Sequence, residues 1–268
     1  MKLYYTKGTC SFGPHIAMRE LGIEPELVAV NLMEKKTADG GDYKAHNPKG
    51  YVPYVEMDDG TGLSECGVIV QYLADQHPEK GLIPAAGTPE RYKVQDWLRF
   101  IGSEMHKNLP PMFLPGIPDD YRDIARSKLA VRLSYMNEEL EGKQYLMGDN
   151  FSVADCYATA ILNWTVPAKY DLSAHPNVAA YYERCCNRDS VKAAHAAEEA
   201  AAATARVHPV DSLNDFADCD AVVEAVVENL DVKRAVFADL EAVVADDAIL
   251  ASNTSSLSVT TIASSCTH

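Results

Sequence analysis

The stretch that decides the fold is residues 47–65, "NPKGYVPYVEMDDGTGLSE". Asp59-Gly60 predicts a tight turn between two short strands, 53–57 and 62–64. Pro53 falls between a polar turn and a strand, where a cis peptide bond fits and a trans loop proline is the plainer alternative. Upstream, "KLYYT" (2–6) alternates like a strand, and "ELVAVNL" (26–32) reads as a second one. Between them "GPHIAMRELG" (13–22) is helical, with Pro14 early and Gly22 where a helix-ending glycine belongs. Downstream, "CGVIVQYLADQ" (66–76) has helical periodicity and stops before His77-Pro78. The order is therefore strand, helix, strand, hairpin, helix, with parallel pairing first and antiparallel pairing second.

That is a thioredoxin-like order, and it predicts an α/β domain over residues 1–80. Residues 81–88, "GLIPAAGT", read as a linker. Thr88-Pro89-Glu90 then supplies a cap, a first-turn proline and an acid. An all-α domain is expected over 89–205, with helices near 89–108, 118–141 and 152–165 and two more within 177–205. Ser152 and Asp155 resemble a capping box with Asp in place of Glu. Composition shifts to valine, alanine and aspartate after residue 206. There a strand (220–228), a helix (231–244) and a strand (248–255) predict a partial Rossmann-like βαβ extension over 206–268.

With 268 residues, 47% of them hydrophobic and 24% charged, the chain can bury a real core. A net charge of -15 argues against nucleic acid or an anionic membrane as partner. No apolar run approaches the roughly 20 residues of a membrane span, and no signal-peptide core precedes the first strand. Seven cysteines without framework spacing read as reduced thiols of a cytoplasmic protein. None has zinc spacing, so no metal is expected.

"TKGTCSFGPHIAMRE" (6–20) is where chemistry first shows. Cys10 sits before a helix start, and a dithiol motif would place its second cysteine at position 13, which is Gly13. A helix N-terminus favours an anion and lowers a thiol's pKa, whereas the bland reading is a small buried hydrophobe. Val52, beside Pro53, offers its backbone to a peptide-like ligand as an added strand. Glu65-Cys66 opens the next helix. Capping alone explains such an acid, but a ligand's ammonium on Glu65 and carboxylate on the helix amides would use the same place.

These stretches, with "SEMHKN" and "GDNFSVADCY", resemble the bacterial beta-class glutathione S-transferases over residues 1–200. The resemblance implies the glutathione S-transferase fold and a cytoplasmic, homodimeric detoxification enzyme that joins glutathione, its co-substrate, to small electrophilic or hydrophobic compounds. It implies catalytic roles for Cys10, through a mixed disulfide with glutathione, and for His106. It implies glutathione binding by Lys35, Val52, cis-Pro53, Glu65, Cys66 and Lys107, and by Glu104 from a partner subunit. A disulfide reductase acting through Cys10, or a non-catalytic binder of hydrophobic ligands, are the alternatives. Two positions depart from the family: Cys66 replaces the usual serine, a better donor, and Arg99 replaces a smaller polar residue. Phe113, Trp164 and Tyr170 are candidate pocket residues.

"DCDAVVEAVVENLDVKRAVF" and "AILASNTSSLSVTTIA" resemble an internal piece of the NAD-binding domain of 3-hydroxyacyl-CoA dehydrogenases. That resemblance makes Glu224, Asn253 and Ser255 the residues nearest cofactor and substrate. No glycine follows Gly148, so a G-x-G-x-x-G phosphate loop cannot form in this part. No NAD binding and no dehydrogenase activity are expected, and the extension should pack on the core, pair between subunits or be partly disordered.

Overall fold

The structure, a computed structural model, describes residues 1–204, 207 and 209–267. The chain divides into two compact units, Met1–Arg206 and Val207–His268; the expected boundary residue, Arg206, lies outside the described residues.

The first unit begins with β1 (Lys2–Tyr5), α1 (Phe12–Leu21), β2 (Glu26–Asn31), β3 (Lys36–Thr37), β4 (Tyr54–Glu56), β5 (Gly62–Ser64) and α2 (Cys66–Asp75). The sheet order is β3-β2-β1-β4-β5. β1 pairs parallel to β2, with Leu3 opposite Leu27, and antiparallel to β4, with Leu3 opposite Val55. This is the thioredoxin-like arrangement that the strand order predicts. The two-residue β3 was not expected, because "KT" alone carries no strand periodicity. Alternation along the strands sends Leu3, Tyr5 and Val55 to the main core, and Tyr4, Val30 and Val52 to a small cluster around Tyr43 on the other face.

Helices complete this unit: α3 (Pro89–Phe100), α4 (Asp119–Glu139), α5 (Val153–Leu162), α6 (Pro176–Cys186) and α7 (Asp189–Thr204). Arg91 clamps the start of α3 to the end of α2, reaching both Asp75 oxygens at 2.7 and 2.6 Å. The expected single helix over 89–108 is interrupted by a π-helical turn, Ile101–Met105. Every residue of α5 is buried, and it packs against α1 and α2. Gly13 permits that approach, since a Cβ there would lie 3.4 Å from both the Cys156 carbonyl and the Tyr157 Cα. α7 docks on α1 through His15 Nδ1 and Glu198 Oε1, 3.0 Å apart and both buried.

Asp155 fixes α5. Its Oδ2 accepts the Ser152 amide and hydroxyl, each at 2.8 Å, completing the capping box. Its Oδ1 accepts the Leu146 amide and the Tyr181 hydroxyl, each at 2.9 Å. Burial pushes the carboxyl pKa up while these donors pull against it.

The second unit has β6 (Ala221–Glu224), α8 (Leu230–Glu241), β7 (Ile249–Ser252) and α9 (Val259–Ala263), with β6 and β7 parallel in a two-stranded sheet. It is a partial Rossmann-like βαβ piece. Both strands keep an unpaired side, and Val223 and Ile249 are exposed.

Asp155→Ala is expected to lower unfolding free energy by about 3–5 kcal/mol, because the buried Leu146 amide and Tyr181 hydroxyl lose their acceptor. Urea unfolding followed by circular dichroism measures this; a loss below about 1 kcal/mol would show that the carboxylate is not the anchor of α5.

Candidate active site

The cis-proline loop is built from behind. The Tyr43 hydroxyl and the Asn47 amide donate to the Tyr51 carbonyl at 2.6 and 2.8 Å, fixing the chain one residue before Val52. The Val52–Pro53 bond is cis. The Val52 carbonyl faces α1 and accepts the Cys10 thiol at 3.4 Å. Val52 was expected to offer its backbone to a ligand; its carbonyl has the Cys10 thiol as partner.

Cys10 is 8% exposed. Burial pushes its thiol up to about 12, its own amide opposes that, and the Glu65 charge adds to it. Of the two readings of Cys10, the lowering that a helix N-terminus can give is outweighed by burial, and the first amides of α1 add little to it. The Phe12 and Gly13 amides already donate to the Thr9 and Cys10 carbonyls at 3.2 and 3.1 Å, and Pro14 has no amide to give.

A second helix start in this region is that of α2. Among the described residues no side chain caps it, and Glu65, the residue before it, holds a left-handed φ of 74°. Such a conformation in a residue with a Cβ costs about 1–3 kcal/mol and points to a function. The Glu65 carboxylate is exposed and lies 3.5 Å from Lys49 Nζ, which also donates to the Ser64 hydroxyl at 2.9 Å. Lys49 was not singled out from the sequence, where one solvated lysine looks like another. Cys66, the first residue of α2, is 4% exposed. Lys35 also has a positive φ, 58°, and donates to the Gly50 carbonyl at 3.0 Å behind the proline loop.

From the helical side comes His106, directly after the π-helical turn, its amide donating to the Ile101 carbonyl at 2.8 Å. π-turns recur at functional sites. His106 Nδ1 meets the Tyr157 hydroxyl at 2.7 Å, and the ring packs edge-on against Trp164, centroids 4.7 Å apart. Trp164 Nε1 donates to the Gly8 carbonyl at 2.7 Å, tying this cluster to the loop that carries Cys10. Gly102 leaves room for Tyr157, whose hydroxyl would stand 3.4 Å from a Cβ there. Burial, aided by the Lys107 charge and opposed by Glu65, pulls His106 down to about 4. Burial pushes the Tyr157 phenol strongly up, so it stays protonated. Tyr157 is the residue that sequence reasoning missed; its only signal is its place two residues after the capping-box aspartate, Asp155.

The remaining candidates are dispersed. Lys107 is exposed. Glu104 is engaged by Arg132 at 2.7 Å. Arg99 is exposed and gives its carbonyl to the Ser103 hydroxyl at 2.9 Å. Phe113 packs on Trp164, whereas Tyr170 is stacked on His175 and under Arg126. In the second unit Glu224 serves an internal ion pair: Lys233, fully buried, reaches it at 2.7 Å, as does the Ser252 hydroxyl. Asn253 gives its amide to the Glu224 carbonyl at 2.7 Å. Among the described residues no cluster of His, Cys, Asp and Glu could hold a metal, and no helix is long and apolar enough to cross a membrane. All seven cysteines are free thiols.

Comparison with known proteins places both units. Residues 13–81 match the family model "Glutathione S-transferase, N-terminal domain" and residues 100–189 match "Glutathione S-transferase, C-terminal domain". Residues 160–268 match "3-hydroxyacyl-CoA dehydrogenase, NAD binding domain", a match that starts well before the expected residue 207 and overlaps the previous one. Over 58 residues the chain is 55% identical to the fatty acid oxidation complex subunit alpha of Psychrobacter cryohalolentis, covering 22% of this chain but only 8% of that protein. The glutathione S-transferase GstA of Escherichia coli O157:H7 is 40% identical over 198 residues, covering 74% of this chain and 98% of GstA. A sphingomonad glutathione S-transferase, solved in complex with glutathione, is 40% identical with a TM-score of 0.71, over 74% of this chain and 99% of that one. The chain belongs to the glutathione S-transferase family, and carries behind it a short segment similar to a dehydrogenase domain.

Proposed function

We propose that glutathione binds with its γ-glutamyl end on Glu65 and the start of α2, and its thiol between Cys10 and His106. The observation that carries this reading is the start of α2, which no side chain among the described residues caps and where Glu65 holds a left-handed φ of 74°, one strand across from the cis-Pro53 loop through the Tyr54–Ser64 pairing. A ligand anchored there by its ammonium has its other groups within the same few residues. Its carboxylate meets the uncapped amides of α2 without help from a serine hydroxyl, because Cys66 stands there with its sulfur turned toward Gly13, which lowers affinity. Val52 and cis-Pro53 present the strand edge for the cysteinyl backbone, with Lys107 supplying positive charge at the rim and Lys35, bonded to the Gly50 carbonyl, from behind the loop. A second copy of the chain would add Glu104, and the compartment is the reducing cytoplasm, in keeping with seven free thiols.

The tautomer of His106 sets the chemistry. With Tyr157, held protonated, assigned as the donor to Nδ1, the imidazole proton sits on Nε2. That N–H donates to the glutathione sulfur and stabilises its thiolate; the thiol proton leaves to solvent, because a neutral imidazole with Nε2 protonated is not its base. The thiolate attacks an electrophilic carbon, the C–S bond forms, and the leaving group departs with its electron pair. Cys10 is a poor attacking sulfur while its thiol stays near 12, so conjugation outranks disulfide exchange as the main reaction. Non-catalytic binding of hydrophobic compounds would leave the His106–Tyr157 pair without a role.

Retention on immobilised glutathione and turnover of a chlorinated nitrobenzene test the whole reading; a chain that does neither refutes it. Glu65→Ala is expected to raise KM for glutathione about tenfold or more, the loss of one charge-assisted contact of about 1.5–3 kcal/mol. Tyr157→Phe is expected to lower kcat/KM about tenfold while moving the imidazole proton between the two ring nitrogens, visible in nitrogen-15 spectra. A loss of rate with an unchanged tautomer would remove Tyr157 from the mechanism.

The pH dependence follows from the depressed His106. Its folded value, about 4, lies below the ordinary 6.5, so the folded state resists protonation. The stability tied to this group is complete above pH 6.5 and is lost as pH falls through about 4, a total of about 3 kcal/mol. His106→Asn should flatten that acid limb of the stability profile, and an imidazole that titrates above pH 6 would overturn the assignment.

A further inference from the structure

The position where a dithiol motif would carry its second cysteine is Gly13, yet the space there is filled by sulfur. A Cβ built on Gly13 would lie 2.8 Å from Cys66 Sγ. The Gly13 amide donates to the Cys10 carbonyl at 3.1 Å, so residues 10 and 13 close one tight turn. Cys66 thus brings to Cys10, from α2, the thiol that a C-x-x-C motif would supply from α1. Both thiols are nearly enclosed, at 8% and 4% exposure. After burial, Cys10 is the largest influence raising the Cys66 thiol.

We propose that Cys66 is the resolving thiol for Cys10, giving this chain a dithiol–disulfide activity on glutathione disulfides beside conjugation. The proposal rests on the reading that glutathione's sulfur reaches Cys10. The oxidant is a disulfide of glutathione, either glutathione disulfide or a glutathione–thiol mixed disulfide. The Cys10 thiolate attacks the glutathione sulfur: the Cys10–glutathione S–S bond forms, the original S–S bond breaks, and the departing thiolate takes up a proton equal to the one Cys10 lost. The Cys66 thiolate then attacks the Cys10 sulfur: the Cys10–Cys66 bond forms, the bond to glutathione breaks, and glutathione leaves as a thiol with the proton Cys66 gave up. One disulfide has been reduced to two thiols and one protein dithiol oxidised. Two molecules of glutathione reverse the protein disulfide and leave as glutathione disulfide.

The order of the two steps is built in. Cys66 has no disulfide to attack until glutathione is joined to Cys10, whose sulfur then becomes its electrophile. Cys10 also loses the hydrogen that it gives to the Val52 carbonyl, which frees that carbonyl for the ligand's backbone. The competing description is that Cys66 only packs, as buried cysteines commonly do. It makes an opposite prediction, because a mixed disulfide on Cys10 would then persist.

The test treats the full chain with glutathione disulfide, traps free thiols by alkylation under acid quench, and maps peptides by mass. The wild type should lose two hydrogens and yield a cross-linked Cys10–Cys66 peptide, with excess glutathione restoring both thiols. Cys66→Ser should stop at glutathione on Cys10, its thermal unfolding transition serving as the check that it folds. Should that variant not fold, the wild-type cross-link and its reversal by glutathione decide alone. Wild-type protein that keeps glutathione on Cys10 without a cross-link, or that links Cys66 to Cys156, overturns the resolving role and leaves the glutathione site standing. Failure to find glutathione on Cys10 in Cys66→Ser, with no cross-link in the wild type, overturns both.

Discussion

Asp155 is where the first unit's architecture and its site meet, because one buried carboxylate accepts four hydrogen bonds from three segments. Among the described residues no cation pairs with it, and its four acceptor sites are filled by the Ser152 amide and hydroxyl, the Leu146 amide and the Tyr181 hydroxyl. Those bonds set the rotation of α5 about its axis. Rotation in turn decides that Cys156 presents its carbonyl, and Tyr157 its Cα, to Gly13 of α1, while the Tyr157 hydroxyl meets His106. A slip of one residue, about 100° around a helix of 3.6 residues per turn, would take Tyr157 away from the imidazole. The placement of the Tyr157–His106 pair is therefore downstream of a capping interaction.

Much of this was legible beforehand because it rests on local chemistry. Strand alternation, the Asp59-Gly60 turn, Gly22 after α1 and the Thr88-Pro89 helix start are all signals within a few residues. What sequence could not show is set across distance. The π-helical turn at 101–105 interrupts an unbroken helical pattern, and no residue in "IGSEM" announces it. The pairing of Tyr157 with His106 spans 51 residues of chain. Lys49 matters only because the hairpin brings it to Ser64 and Glu65.

Cys10 shows how magnitudes settle two opposed effects. A helix N-terminus contributes about 0.3–1 kcal/mol to an anion, less than one pKa unit. Moving the thiol from its ordinary value of 9.0 to about 12 corresponds to about 4 kcal/mol. Burial therefore outweighs the dipole several times over, the more so because the first amides of α1 are already bonded. The sequence placed Cys10 at a helix start, which was correct, but only packing reveals how little water reaches it.

The second unit obeys the same rule that a buried charge must be answered. Lys233 is fully enclosed, and it is matched by Glu224 at 2.7 Å and Glu228 at 3.5 Å. The Ser252 hydroxyl and Val226 amide complete the shell around Glu224, and despite its burial they and Lys233 hold that carboxyl below its ordinary range. A glutamate with this many internal partners on β6, α8 and β7 is occupied as a joint between strands and helix. Without a glycine anywhere after Gly148, the segment also lacks the backbone that would cradle a dinucleotide phosphate. Its similarity to a dehydrogenase domain is carried by this βαβ scaffold, in which a buried ion pair joins the parallel strands to the helix between them.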